Sequence, residues 1–231
     1  MKIYAIGDLH LALSTDKPME VFGPKWENHV TRLTACWKQL ITDKDIVILC
    51  GDLSWAMKLN EAKVDLDFID QLPGKKICIK GNHDYWWEKI GVLNTLYDSI
   101  YFIQNTAYKV GRYAICGTRG WMHFDDASQE DKKIYLREQE RLKLSLQDGI
   151  KKGAEEIIVA LHYPPTNDKR EDSPFTALIE QYPVRQVMYG HLHDETGWEK
   201  ALKGSYNERM YHLVAADYLE FCPKLILEIT E

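Results

Sequence analysis

Five apolar runs in this chain of 231 residues each end in a short cluster of residues able to bind a metal ion. The clusters are Asp8-Leu9-His10, Gly51-Asp52, Gly81-Asn82-His83-Asp84, Leu161-His162 and Gly190-His191-Leu192-His193. Two carboxylates (Asp8, Asp52), four imidazoles (His10, His162, His191, His193) and one amide carbonyl (Asn82) make a mixed oxygen and nitrogen donor set. Such a set suits Mn, Fe, Zn or Co better than Ca. Seven protein ligands are too many for one catalytic ion that must keep a position open. They suit two ions roughly 3.5–4 Å apart sharing a bridging carboxylate. Two divalent cations, two carboxylates and a bridging hydroxide leave a charge of about +1, which attracts a phosphate anion. Coordination also lowers the pKa of water toward ~7, so no side-chain nucleophile is needed.

Taken singly, most of these clusters have ordinary readings. Gly51-Asp52 alone reads as a turn, and His162 alone as a buried, hydrogen-bonded histidine. Gly81-Asn82-His83-Asp84 is more specific, and His191 and His193, two apart, put both rings on one side of an extended segment. The weight lies in their placement. Residues 3–6, 46–50, 77–79, 113–116, 157–161, 187–189, 213–215 and 225–229 read as buried strands, rich in β-branched residues. Between them lie helical patterns: Trp26, Val30, Leu33, Trp37 and Leu40 on one face, then Val64, Phe68 and Leu72. A long polar helix is predicted over 128–152, with Tyr135, Leu142, Leu146 and Ile150 on a stripe and Gly153 to stop it. Ser173-Pro174 caps a short helix through Tyr182, and Trp86-Trp87 begin another after the third cluster. Strand and helix alternation indicates an α/β fold, with mixed pairing toward the strand-rich C-terminal third. In such sheets the carboxyl ends of strands open onto the ligand crevice, where all five clusters fall.

Composition bounds the rest. With 45% hydrophobic and 28% charged residues the chain reads as one globular domain over 1–231, without disordered, collagenous or membrane-spanning character. A formal charge of −6 gives no global positive field, so nucleic acid is possible as a partner but not favoured over a small phosphorylated molecule, and no membrane is implied. Cys36, Cys50, Cys78, Cys116 and Cys222 form no C-x-x-C pair and read as thiols of a reduced, cytoplasmic chain. The apolar stretch after Met1 is too short for a signal segment. No cysteine is followed six positions later by arginine, and no G-x-S-x-G, H-E-x-x-H, G-x-G-x-x-G or G-x-x-x-x-G-K occurs. His193-Asp194-Glu195 matches half of a zinc-deaminase signature by chance, because no P-C-x-x-C follows.

In order and spacing, D-x-H, G-D, G-N-H-D, a lone H and G-H-x-H resemble the calcineurin-like metallophosphoesterase superfamily over residues 8–193. The resemblance implies a four-layer αββα sandwich, two mixed sheets flanked by helices, and hydrolysis of a phosphoric ester. It implies one divalent or mixed-valent transition-metal ion (Mn, Fe or Zn) on Asp8, His10, Asp52 and His193. A second would sit on Asp52, Asn82, His162 and His191, with Asp52 as the bridge. His83 would face the phosphate, stabilising the transition state or protonating the leaving oxygen, with Asp84 holding its imidazole. The chain departs from the Ser/Thr protein phosphatase branch: Gly51-Asp52-Leu53-Ser54-Trp55 lacks the later aspartate and arginine of that branch's second motif. Phosphomonoesterase, phosphodiesterase and nuclease all use such a site. A non-catalytic scaffold of the same fold is the contrasting reading, opposed here by an intact ligand set.

Several residues are left over. Arg119 in Gly117-Thr118-Arg119-Gly120-Trp121 could grip a substrate phosphate with its fork or make a salt bridge, and His123 could line the same cleft. Trp55 reads as packing or pocket wall, and the loop over 11–25 as a rim over the metals or a surface loop. His29 and His212 read as ordinary surface or core residues.

Overall fold

The computed structural model describes residues 1–122 and 128–229, so the candidate His123 lies outside the described residues. Strands β1 (Lys2–Ile6), β2 (Ile46–Leu49), β3 (Lys75–Cys78) and β4 (Ile100–Phe102) run parallel, in that order, in one sheet. A second sheet holds β5 (Ala107–Val110), β6 (Tyr113–Thr118), β7 (Glu156–Leu161), β8 (Val184–Tyr189), β9 (Gly204–Tyr206) and β10 (Arg209–Leu213). Its order is β5-β6-β7-β8-β10-β9, with β5 and β9 antiparallel at the edges. The chain then returns as β11 (Lys224–Glu228), antiparallel to β1 at the edge of the first sheet.

The sheets pack face to face because their strands are apolar on both sides. In β1, Ile3 and Ala5 join Ile48, Ile77, Ile115, Ile158, Ala160 and Met188 in the layer between the sheets. Tyr4 and Ile6 turn the other way, into the layer beneath helices α1 (His29–Leu40) and α2 (Leu59–Asp70). Among the remaining helices are a single turn, α3 (Ile90–Leu93), then α4 (Gln129–Lys151), α5 (Pro174–Glu180) and the short α6 (Glu195–Lys200). Tyr135, Leu142 and Leu146 of α4 and Phe175, Leu178 and Ile179 of α5 cover the outer face of the second sheet. The architecture is the expected four-layer αββα sandwich. Continuous apolar runs are what a strand buried on both faces requires.

Caps and buried polar groups fix the layers. Ser128 accepts the Asp131 N–H at the start of α4, and Ser173 accepts those of Phe175 and Thr176 at the start of α5. Lys76, fully buried on β3, donates to the Leu72 and Asp70 carbonyls at the end of α2.

Several expectations need correcting. The buried face of α2 is Ala62, Leu66 and Ile69, while Val64 is exposed. Ile150 at the end of α4 is also exposed. Trp86 and Trp87 open no helix: Trp86 is buried, with its indole bonded to Asp84. Of the run at 213–215 only Leu213 lies in β10, Ala215 bridging Gly7 beyond it, and β4, β5 and β9 are only three or four residues long, too short to be read alone. The cysteines are not all free, since Cys36 on α1 and Cys222 are joined in a disulfide with Cα atoms 5.4 Å apart. Cys50, Cys78 and Cys116 remain buried thiols. The pair is 186 residues apart in sequence, a proximity that spacing does not encode. Among the described residues no helix is long and apolar enough to cross a membrane.

The interface between sheets leaves no room at Gly117. A Cβ there would lie 2.8 Å from Ile79 Cγ2 of the opposite sheet and closer still to the Ala160 carbonyl oxygen. Gly117→Ala is expected to destabilise the protein by about 1–3 kcal/mol through overpacking, read as a lower midpoint in denaturant titration. An unchanged midpoint would contradict this packing.

Candidate metal centre

Main-chain bonds draw the five clusters together before any side chain is considered. Past β1 and β2 the chain continues as a narrow ladder: Asp8 N–H donates to Gly51 O (2.8 Å), His10 N–H to Asp52 O (3.0 Å) and Leu11 N–H to Leu53 O (3.0 Å). Buried Asp65 of α2 fastens the two segments by accepting the Ser54 hydroxyl and the Leu13 N–H. From the second sheet, Gly190 N–H donates to His162 O at 3.1 Å, and His191 N–H reaches both Asp8 carboxylate oxygens, at 3.0 and 3.1 Å. Close approach demands glycine at two of these crossings. A Cβ on Gly190 would collide with Asp8 Oδ2, and one on Gly81 with Asp52 Oδ1. Asp8, His10, Asp52 and His191 all have left-handed backbones, with φ of 58°, 46°, 53° and 73°. That conformation costs non-glycine residues energy and gathers at functional sites.

Asp84 is not where the sequence places it. Its carboxylate, fully buried, accepts the N–H groups of Gly81 (2.8 Å), Asp52 (2.9 Å) and Leu53 (2.9 Å) and the Trp86 indole (3.1 Å). Those bonds use both oxygens on the main chain of the second and third clusters, so Asp84 positions their loops and does not hold the His83 imidazole. Burial, then the Asp52 charge, push its carboxyl up to about 6 against the pull of these N–H donors. His83 donates its own N–H to Asp52 Oδ1 at 2.7 Å, and its half-buried ring faces the centre.

The seven candidate ligands meet. His10 Nε2 lies 3.8 Å from Asp52 Oδ2, His162 Nε2 lies 3.4 Å from the same oxygen, and His193 Nε2 lies 3.6 Å from Asp8 Oδ1. Asn82 Oδ1 is 2.6 Å from His162 Nε2 and 3.0 Å from His191 Nδ1. Donor atoms of Asp8, His10 and His193 lie within 4.8 Å of one another, as do those of Asp8, Asp52 and His162. Outer partners turn the rings the right way. His162 Nδ1 bonds Cys50 O at 3.0 Å and His193 Nδ1 bonds Asp217 at 3.1 Å, which leaves each Nε2 facing the carboxylates. Among the described residues buried His10 Nδ1 has no hydrogen-bond partner, a group that costs about 1–3 kcal/mol left so. Nitrogen and carboxylate donors turned inward, with one ring nitrogen unpaired, fit bound transition-metal ions.

Electrostatics agree. Burial holds the His10 and His162 imidazoles below their usual range and brings His191 down to about 3, so these rings are neutral and able to ligate. Burial also pushes Asp8 up, but the hydrogen bond and charge of His193, with His162 and His10, outweigh it and hold that carboxylate low. Asp52 moves upward, by burial first and then by the charge of Asp8. Burial lowers His193, yet Asp217 and Asp8 together lift it to about 10.

Two residues outside the motifs shape the centre. Asp217 orients His193, and Tyr163 packs its ring 4.1 Å from His191. Asp217 follows the apolar run of β10 as the motif acids follow theirs, and that was its one sequence signal. Arg119 makes a salt bridge, but with a buried partner and not at the surface: its guanidinium lies 3.5 Å from Glu138 and 4.6 Å from the Trp121 ring centre. Its carbonyl accepts the His162 and Tyr163 N–H groups, which places it beside the centre. His29 is buried against Trp26 and Phe221, and His212 bonds Gln186.

Protons held in the metal-free centre must leave when ions bind. With His193 raised to about 10 and Asp52 raised as well, loading the metal-free protein at pH 7 is expected to release at least one proton. Affinity is then expected to strengthen as pH rises and weaken as it falls. Titration calorimetry in buffers of different ionisation enthalpy reads the release, and a heat independent of buffer would refute it.

An uncharacterized protein of Methanocaldococcus jannaschii, MJ1445, is 34% identical over 97 residues, which are 40% of this chain and 52% of that one. The match thus spans about half the length of that relative. A solved structure of a protein of unknown function from Aquifex aeolicus, AQ665, aligns over 97% of this chain and 95% of its own at 14% identity, with a TM-score of 0.47. Residues 1–195 match the calcineurin-like phosphoesterases as a family, so the chain is a member of that family of metal-dependent phosphoesterases.

Proposed function

We propose that this protein hydrolyses a phosphate ester of a small molecule at a centre holding two divalent transition-metal ions. The observation that carries the reading is the position of Asp52 Oδ2, 3.8 Å from His10 Nε2 and 3.4 Å from His162 Nε2. One oxygen between two sets of donors is the arrangement a bridging carboxylate needs. Asp8, His10, Asp52 and His193 would hold one ion, and Asp52, Asn82, His162 and His191 the other. Once bound, such ions supply Lewis acidity toward the phosphoryl oxygens and a water of lowered pKa, of which Mn, Fe and Zn are all capable.

The remaining work belongs to side chains. Burial, then the charges of His162 and Lys17, hold His83 below its usual range, so at neutral pH its ring meets the substrate uncharged. The single N–H of that neutral ring can donate to a phosphoryl oxygen or to the leaving oxygen as charge gathers there. Asp84 acts on His83 through the loop it braces. Arg119, whose buried Nε has no hydrogen-bond partner among the described residues, is the further candidate for gripping the substrate's phosphate. A small ester is favoured over nucleic acid because the chain's charge of −6 repels a polyanion.

Activity of the metal-replete protein on an aryl phosphate tests this. Asp52→Asn and His83→Ala are each expected to lower kcat about 10²–10⁴-fold, and Arg119→Ala to raise KM for several esters. Unchanged turnover in the first two variants would defeat the proposal.

A further inference from the structure

The mouth beside His83 is lined with aromatic rings that the hydrolytic reading does not use. Trp55 lies with its ring centre 4.4 Å from that of His83 and 4.8 Å from that of His10, nearly parallel to the latter at 23°. Phe22, in the short 3₁₀ turn Met19–Phe22, is parallel to Trp55 within 7°, with centres 6.5 Å apart. The Tyr85 ring centre stands 6.3 Å from that of His83. Trp55 is held from behind, since its N–H donates to Leu11 O at 2.9 Å and its indole nitrogen to Met19 Sδ at 3.0 Å. With its one polar atom used inside the protein, the indole offers a ligand only its apolar surface. Phe22 is 65% exposed and Tyr85 58%. Scattered exposed apolar residues need no explanation, but several converging on one reactive histidine do.

We propose that Trp55 and Phe22 hold a flat aromatic ring in the leaving group of the ester, so that the substrates are aryl or nucleoside phosphates. The inference rests on the phosphoesterase reading and names its substrate class. Because the rings are continuous with His83, their occupant is part of the molecule being cleaved. The ring lies against Trp55 and Phe22 while its phosphoryl group reaches His83 and the buried carboxylates. Lys17, from the same loop as Phe22, has its ammonium 4.2 Å from the Trp55 ring centre and no carboxylate partner among the described residues. That ammonium covers the Trp55 ring in this structure, and its flexible stem can yield to a planar ring and turn toward the phosphate.

The test compares wild type, Phe22→Ala, Trp55→Ala and Trp55→Phe on p-nitrophenyl phosphate, adenosine monophosphate and glycerol phosphate. Calorimetric binding of the last two and metal content are measured on the same proteins. Loss of Phe22 or Trp55 is expected to lower kcat/KM for the ring-bearing esters about tenfold relative to glycerol phosphate, mostly through KM, with Trp55→Phe largely restoring it. Weaker binding of adenosine monophosphate should follow the same order at unchanged metal content. A selective response of the nitrophenyl ester alone identifies a simple aryl group, and one of adenosine monophosphate a nucleobase. Equal changes for all three esters, or none, would overturn the inference. Should the wild type cleave no ester at all, the phosphoesterase reading falls, while the binding comparison still decides whether these rings hold an aromatic ligand.

Discussion

Asp8 and Asp52 are buried side by side, and among the described residues neither is paired with a lysine or arginine. Their company is His10, His162 and His193 at 3.4–3.8 Å and the main-chain N–H groups of His83 and His191. Two carboxylates in so dry a place repel each other, and each ionised one costs several kcal/mol unless a cation answers it. Divalent ions, once bound, would answer both charges at once. Left-handed backbone at four candidate ligands, costing roughly 1–3 kcal/mol each, is tolerable only where packing over-determines it.

The sandwich provides that packing. Asp8, Asp52 and Asn82 leave the ends of β1, β2 and β3 of one sheet, while His162, His191 and His193 leave β7 and β8 of the other. A centre shared between sheets can be no looser than the apolar layer that joins them, and Ile3, Ile48, Ile77, Ile158 and Met188 make that layer continuous. Asp84 then acts as a staple: one carboxylate collects N–H groups from two loops, and those loops carry Asp52 and His83.

Around this rigid floor the rim is built from loop residues. Residues 11–25 rise over the centre through two 3₁₀ turns, Met19–Phe22 and Pro24–Trp26, and bring Trp26 to 5.8 Å from His10. Phe221, packed 5.1 Å from Trp26, ties the same rim to the C-terminal turn, whose Cys222 is bonded to Cys36 of α1. A site with a fixed bottom and a loop-borne wall can keep its chemistry while its specificity varies.

Much of the fold was legible in the sequence. Strands buried on both faces announce themselves as unbroken apolar runs, and Ser128 and Ser173-Pro174 mark helix starts through local capping chemistry. The candidate donors that the fold gathers were legible too, because each follows a strand and metal donors are few in kind. What could not be read were relations across the chain. Asp84 looked like a partner for the neighbouring His83 ring, whereas folding turned it toward the backbone of Asp52 and Leu53. Asp217 acquired a role only when β10 came to lie beside β8, and Cys36 found Cys222 across 186 residues. Local sequence determines which residues end strands and which atoms can bind a metal, because propensity and donor chemistry act over a few residues. Which carboxylate faces a histidine and which holds a loop is decided by tertiary structure, since hydrogen bonds form between whatever groups the packed sheets bring within about 3 Å.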